Sequence, residues 1–366
     1  MKKSQLSFGL LLLLSVVVSA SSFAQNRKTE NLVVITLDGL RWQEVFQGLD
    51  KVIVKQEMFT KNAKGLRESF AADATESSRQ KIFPFLWSTV AKEGQIYGNR
   101  LKGSLVNVKN KYQFSYPGYN ELFTGFPDVR INSNDNINNP NENVFEFIQK
   151  QPGYENEVAV FATWETMPYI LNRDRSGLNI NADRDSFPAL SPELKLLDDL
   201  QKLVTRPVEV RLDSLTYMGA REYMKVKHPK VMYISFGETD EFAHEKEYDQ
   251  YIKTAHSADS MIADLWTTLQ AMEQYRDKTT FVITCDHGRG GLGRDTWAEH
   301  GDEIPESGQI WMAFLGPDTK ALGEVKNSPQ LYQGQMATTL ARFLGLEFKT
   351  NHPTMTPFPG VSVTAQ

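Results

Sequence analysis

Residues 278–291 read KTTFVITCDHGRGG. Residues 279–285 are β-branched or apolar, a composition that suits a strand buried on both faces. Asp286 and His287 follow at once, and then glycines. A carboxylate and an imidazole are costly inside a core. They are well placed at the C-terminal edge of a parallel sheet, where α/β proteins bind ligands. Adjacent Asp and His can reach one metal ion if the chain turns there, and Gly288 permits that turn. A polar turn after a buried strand is the plainer reading of the same residues.

Two other stretches share the pattern. Asn31–Leu37 (NLVVITL) ends in Asp38-Gly39, and residues 230–236 (KVMYISF) lead to Gly237, Asp240 and His244. If the three strands lie parallel, their acidic residues and histidines meet along one edge. Two metal ions held by aspartates and histidines account for that meeting. The Asp240-to-His244 spacing puts both on one face if the segment is helical.

Residues 157–163 (EVAVFAT), 309–315 (QIWMAFL) and 95–101 are further strand candidates, and residues 172–192 form a polar, loop-rich insertion. Helical patterns fall near 83–92, 144–148, 193–204, 212–227, 248–274 and 331–344. The alternation predicts an α/β fold: a central, mostly parallel sheet flanked by helices, with the active site at the C-terminal ends of the strands.

Residues 111–125 read KYQFSYPGYNELFTG. Pro117 suits the first turn of a helix and Gly125 its end, so Ser115 falls just before a helix N-terminus. Free N–H groups there favour a phosphate or an oxyanion. Ser115 is either a plain helix cap or a nucleophile. The loop at 132–143 is rich in asparagine, with Asn134, Asn136 and Asn138 all candidates for a substrate contact. Trp164 and Glu165, after a strand end, could line a cleft or simply end the strand. Arg173, Arg175 and Arg184 are either phosphate ligands or surface charges. His228, His256 and His352 read as structural.

Residues 1–24 read as a cleaved secretory signal, with an uncleaved N-terminal anchor the alternative. Lys2 and Lys3 precede an apolar run, and Ser22-Phe23-Ala24 offers small residues at the cleavage positions. The protein is then exported, periplasmic or secreted, and residues 25–366 form one catalytic domain with no membrane span. The formal charge of −5, near −7 once Lys2 and Lys3 are removed, argues against a surface that coats nucleic acid. Cys285 is the single cysteine, so no internal disulfide can form.

With these motifs in order, the chain resembles the alkaline phosphatase superfamily. The resemblance rests on Asp38-Gly39, Ser115-Tyr116-Pro117 with Thr124-Gly125, Asp240 with His244, Asp286-His287-Gly288, and His300-Gly301. It implies two divalent ions, zinc or manganese. Asp240, His244 and His300 would hold one. Asp38, Asp286 and His287 would hold the other, with Ser115 as its remaining ligand. In phosphodiesterase-type members the nucleophile lies two residues before a proline and ten before a glycine, the intervals from Ser115 to Pro117 and to Gly125. Those members usually carry threonine there, so serine is a departure. An asparagine at the Asn136 interval donates to a phosphate oxygen in that branch, which gives Asn136 a catalytic role by resemblance.

Sulfatases of the superfamily need an arginine four residues after the modified residue, and Tyr119 stands at that position. The resemblance thus implies an exported hydrolase of small phosphate esters that passes through a phosphoserine at Ser115. Monoesters are favoured over the diester, pyrophosphate and phosphonate alternatives. A sulfatase and a non-catalytic metal-binding relative are the remaining readings.

Overall fold

Strand β1 (Asn31–Leu37) lies near the middle of an eight-stranded sheet, and all seven of its residues are buried. The other strands of that sheet are β2 (Gln95–Tyr97), β4 (Val158–Ala162), β5 (Asn179–Ala182), β6 (Val231–Phe236), β7 (Thr279–Thr284), β8 (Met312–Leu315) and β9 (Gly323–Glu324). A separate parallel pair joins β3 (Val106–Asn107) to β10 (Leu331–Tyr332). The computed structural model describes residues 28–291 and 295–359, so the expected signal segment lies outside the described residues.

The sheet order is β5-β4-β6-β1-β7-β8-β2-β9. The first five strands are mutually parallel, β8 runs antiparallel to both β7 and β2, and β9 is parallel to β2. The expected α/β architecture is therefore present. Apolar runs without alternation mark strands covered on both faces. Leu32, Val33, Val34 and Ile35 are wholly buried, and each contributes about 1.5–3 kcal/mol of burial energy.

Register carries this order into the site. Leu37 pairs with Phe236, and Thr36 pairs with Thr284. One step further along, Asp38, Gly237 and Asp286 leave the sheet at the same edge.

Several local expectations shift. The strand expected over 95–101 keeps only Gln95–Tyr97, and the one over 309–315 begins at Met312. The helix expected over 331–344 is shortened to Met336–Phe343, because Leu331 and Tyr332 pair with β3. Two short helices lie outside the expected patterns, Ala63–Phe70 and Thr75–Ile82. The polar insertion is not all loop, since it supplies the edge strand β5. Among the described residues no helix is long and apolar enough to cross a membrane.

The three histidines read as structural engage the fold. His256 Nδ1 lies 2.8 Å from the Ile82 carbonyl, and His352 stacks on Phe126. His228 takes a left-handed conformation at a helix end.

Candidate metal centre

Helix Glu238–His244 starts directly after β6 and Gly237. As the spacing predicted, it presents Asp240 and His244 together, with His244 Nε2 3.0 Å from Asp240 Oδ2. His300 arrives on a separate segment, its Nε2 3.2 Å from His244 Nε2. At the end of β7, His287 Nε2 lies 3.4 Å from Asp38 Oδ1, 3.5 Å from Asp286 Oδ2 and 3.7 Å from Asp240 Oδ1. All six expected protein ligands thus gather at one place.

Donor atoms of Asp38, Asp286 and His287 lie within 4.8 Å of one another, and so do those of Asp240, His287 and His300. His287 stands between the two groups. It belongs to the Asp38 and Asp286 set and also touches the Asp240 set. Its tautomer is fixed locally, because Nδ1 is 2.8 Å from the Gly288 carbonyl and must donate to it. Nε2 is then the nitrogen that faces the cluster.

The two halves differ in exposure. Asp286 and His287 are fully buried, while the His244 side chain is 52% exposed. A buried, unneutralised carboxylate is costly. Asp38 Oδ1 and Asp286 Oδ2 are buried with no hydrogen-bond donor among the described residues. Burial and then the Asp38 charge push the Asp286 carboxyl up to about 8. Burial opposes the charge on His287, but Asp286 and Asp38 outweigh it and raise its pKa to about 9. His300 is pressed well below its ordinary value by burial, then by His287 and Arg289. Shifts of this kind mark a site whose carboxylates need a positive charge beside them. Orphaned acceptor oxygens and mixed oxygen and nitrogen donors fit divalent ions.

Ser115 is the first residue of helix Ser115–Thr124, one position inside the expected start. Phe114 occupies the cap position, with no side-chain cap bond. The Ser115 hydroxyl instead lies 3.3 Å from His287 Nε2. Gly118 of this helix has no room for a Cβ, which would stand 2.6 Å from the Asp286 carbonyl, so the helix packs hard against the end of β7.

Asn134 Oδ1 accepts the Tyr116 N–H at 2.9 Å, beside Ser115. Asn136 Oδ1 accepts the Thr166 hydroxyl at 2.8 Å, and Asn138 donates to Asp174. The Tyr116 hydroxyl donates to the Ile137 carbonyl at 2.6 Å and pins this loop over the helix start.

Trp164 and Glu165 do line a crevice of about 410 Å³, with Arg184, Arg206 and Glu241 among its other walls. Arg175 is engaged by Glu146 and by the carbonyls of Asn139, Pro140 and Asn141. Arg173 holds the Ile180 carbonyl and Asp185.

Two buried side chains escape sequence reasoning. The Tyr119 hydroxyl donates to Asp38 Oδ2 at 3.0 Å, and the Arg289 guanidinium contacts Asp240 Oδ1. The signal for Tyr119 is its place four residues after Ser115, on the same helix face.

A family model described as type I phosphodiesterase / nucleotide pyrophosphatase matches residues 32–331. The chain belongs to this family. The match spans all six candidate metal ligands and Ser115. No curated protein matches the chain.

Among solved structures, a mutant of the alkaline phosphatase PafA superposes with a TM-score of 0.60 at 9% identity, covering 90% of this chain and 98% of that one. Phosphonate monoester hydrolase of Agrobacterium radiobacter gives 0.53 at 13% identity, covering 87% and 74%. A 2-O GAG sulfatase gives 0.52 at 14% identity, covering 90% and 73%. Their named activities differ, and at such identities the likeness shows the fold alone. That fold is the alkaline phosphatase superfamily's, as the motifs indicated. Family and fold together support a hydrolase of phosphate esters.

Proposed function

We propose that this phosphodiesterase-family chain is an exported, two-metal hydrolase of phosphodiesters that works through Ser115. The observation that carries the reading is the Ser115 hydroxyl, which lies 3.3 Å from His287 Nε2 and caps nothing. Asp38, Asp286 and His287, with Ser115, would hold one divalent ion, and Asp240, His244 and His300 the other. Zinc suits this donor set best, with manganese the alternative. Bound there, the ions would supply positive charge for the phosphoryl oxygens and ease loss of the Ser115 proton.

The remaining chemistry belongs to the chain. Ser115 stands at a helix N-terminus, where the helix dipole favours the charge of a phosphoryl oxygen, although Asn134 already takes the Tyr116 N–H and Pro117 has none. Its deprotonated oxygen attacks phosphorus, and the bond to the leaving alkoxide breaks as the Ser115 bond forms. The alkoxide takes up a proton and departs as the alcohol, and the second ester group stays on the seryl phosphate. Water then cleaves the phosphoserine and restores the hydroxyl. The Asn136 amide can donate to a non-bridging oxygen, because its Oδ1 is already occupied by Thr166 and its NH₂ end has no hydrogen-bond partner among the described residues.

The sequence leans towards monoesters, which need cations for the additional phosphate oxygens. Arg173 and Arg175, two candidates for that task, are tied instead to Asp185 and Glu146. That engagement and the family favour the diester.

The test is a panel on zinc-loaded protein: bis-aryl phosphate, aryl phosphate, aryl phosphonate and aryl sulfate. Bis-aryl phosphate should be cleaved fastest and sulfate slowest. Preferential cleavage of sulfate would overturn the reading. Two bound zinc ions with no turnover of any ester would establish the non-catalytic alternative.

A further inference from the structure

Arg289 stands two residues after His287 and is fully buried. Its guanidinium donates to Asp240 Oδ1, to the Asp240 carbonyl at 3.3 Å, and to the carbonyl of Ala298, two residues before His300. Its Nε lies beside Gly39, the residue after Asp38. A Cβ at Gly39 would stand 2.7 Å from that Nε and 2.6 Å from Asp240 Oδ1, and Gly39 has φ +58°. One side chain therefore ties its own segment to the three others that deliver the aspartate and histidine ligands.

Burying a guanidinium is costly unless its donors are used; the two terminal nitrogens of Arg289 are used, and its Nε has no hydrogen-bond partner among the described residues. Here the planar fork reaches a carboxylate and two carbonyls together, which an ammonium group at the end of a lysine could not copy. Its contact with Asp240 is selective. Oδ1 is held by the guanidinium, and Oδ2 is left 3.0 Å from His244 Nε2.

We propose that Arg289 is a positioning residue for the exposed half of the centre: it holds Asp240 so that Oδ2 alone is offered with His244 and His300, and it sets the distance between that group and the Asp38 group. The inference rests on the two-metal reading above. It concerns the half whose histidine is open to solvent, where protein packing fixes the ligands least. Partners that orient a metal ligand typically change metal affinity by about 10–100-fold when removed.

The test uses the full chain, with Arg289→Met and Arg289→Lys beside the wild type. Zinc stoichiometry and affinity are read by competition with a chromophoric chelator, and thermal unfolding is followed with and without zinc. The wild type should bind two zinc ions. Arg289→Met should keep one tight ion and bind the second at least about tenfold more weakly. Its zinc-induced rise in Tm should shrink accordingly. Arg289→Lys keeps the charge without the fork and should also weaken the second ion, by less. If Arg289→Met does not fold, the lysine variant carries the measurement. Two zinc ions at wild-type affinity in the variants, with only a lower Tm, would mean a structural strut and overturn the inference. A wild type that binds no zinc would instead overturn the two-metal reading itself.

Discussion

Replacing Tyr119 by Phe removes one oxygen atom from a fully buried position and leaves the ring in place. That oxygen donates to Asp38 Oδ2 at 3.0 Å. Burial, with Asp286 and Asp38 nearby, keeps the phenol protonated far above neutral pH, so it remains a donor. A hydrogen bond to a charged group is worth about 1.5–3 kcal/mol. At about 1.36 kcal/mol per factor of ten, its loss should weaken the ion held by Asp38, Asp286 and His287 by roughly 10- to 150-fold. The ring still stacks on Phe123, so packing changes little. Zinc affinity of Tyr119→Phe, measured against a competing chelator at constant pH, should show this loss in the tighter site and leave the other near its wild-type value. An affinity within twofold of wild type in both sites would refute the role given to Tyr119 and to Asp38 as its partner.

Two further outcomes follow from the same geometry. Asp259 is buried, accepts the N–H groups of Phe85 and Leu86 at 2.7 and 2.9 Å, and has its pKa pushed up to about 7 by burial. A carboxyl whose folded pKa is raised contributes stability that is full below about pH 4 and lost as pH rises through the folded value. Wild type should therefore lose stability relative to Asp259→Asn by up to about 1.4 kcal/mol per pH unit across that window, read from denaturant unfolding; a flat difference would contradict the burial effect. In the asparagine-rich loop, Asn136→Ala should slow the chemical step by about ten- to a thousandfold with zinc retained. A silent Asn136→Ala beside a slow Asn134→Ala would move the donor to the residue that binds the Tyr116 N–H.

The sheet and most of the site were legible because buried parallel strands leave a plain mark. Runs such as NLVVITL lack alternation, and a charged residue directly after one has few places to go except the sheet's edge. The spacing from Asp240 to His244 carried the helix in the same way. Ser115 was less legible: Pro117 located the helix to within a residue, yet a cap and a nucleophile look alike until the neighbour of the hydroxyl is known. The roles of Tyr119 and Arg289 were not read, because they depend on where Asp38 and Asp240 stand, 81 and 49 residues away along the chain. Arg173 and Arg175 stayed open between phosphate ligand and surface charge for the complementary reason. Their charge was visible, but Glu146 and Asp185, which engage them, are brought near only by the fold.

The most direct test of the Ser115 assignment is acid quenching of zinc-loaded protein within milliseconds of adding an aryl diester, followed by peptide mass spectrometry. A covalent phosphoryl group should appear on Ser115, at a level that falls as substrate is exhausted. Ser115→Ala should show no such adduct, lose nearly all turnover and still bind zinc, with little change in Tm because the hydroxyl caps no helix. Normal turnover by Ser115→Ala, or an adduct on another residue, would contradict the assignment.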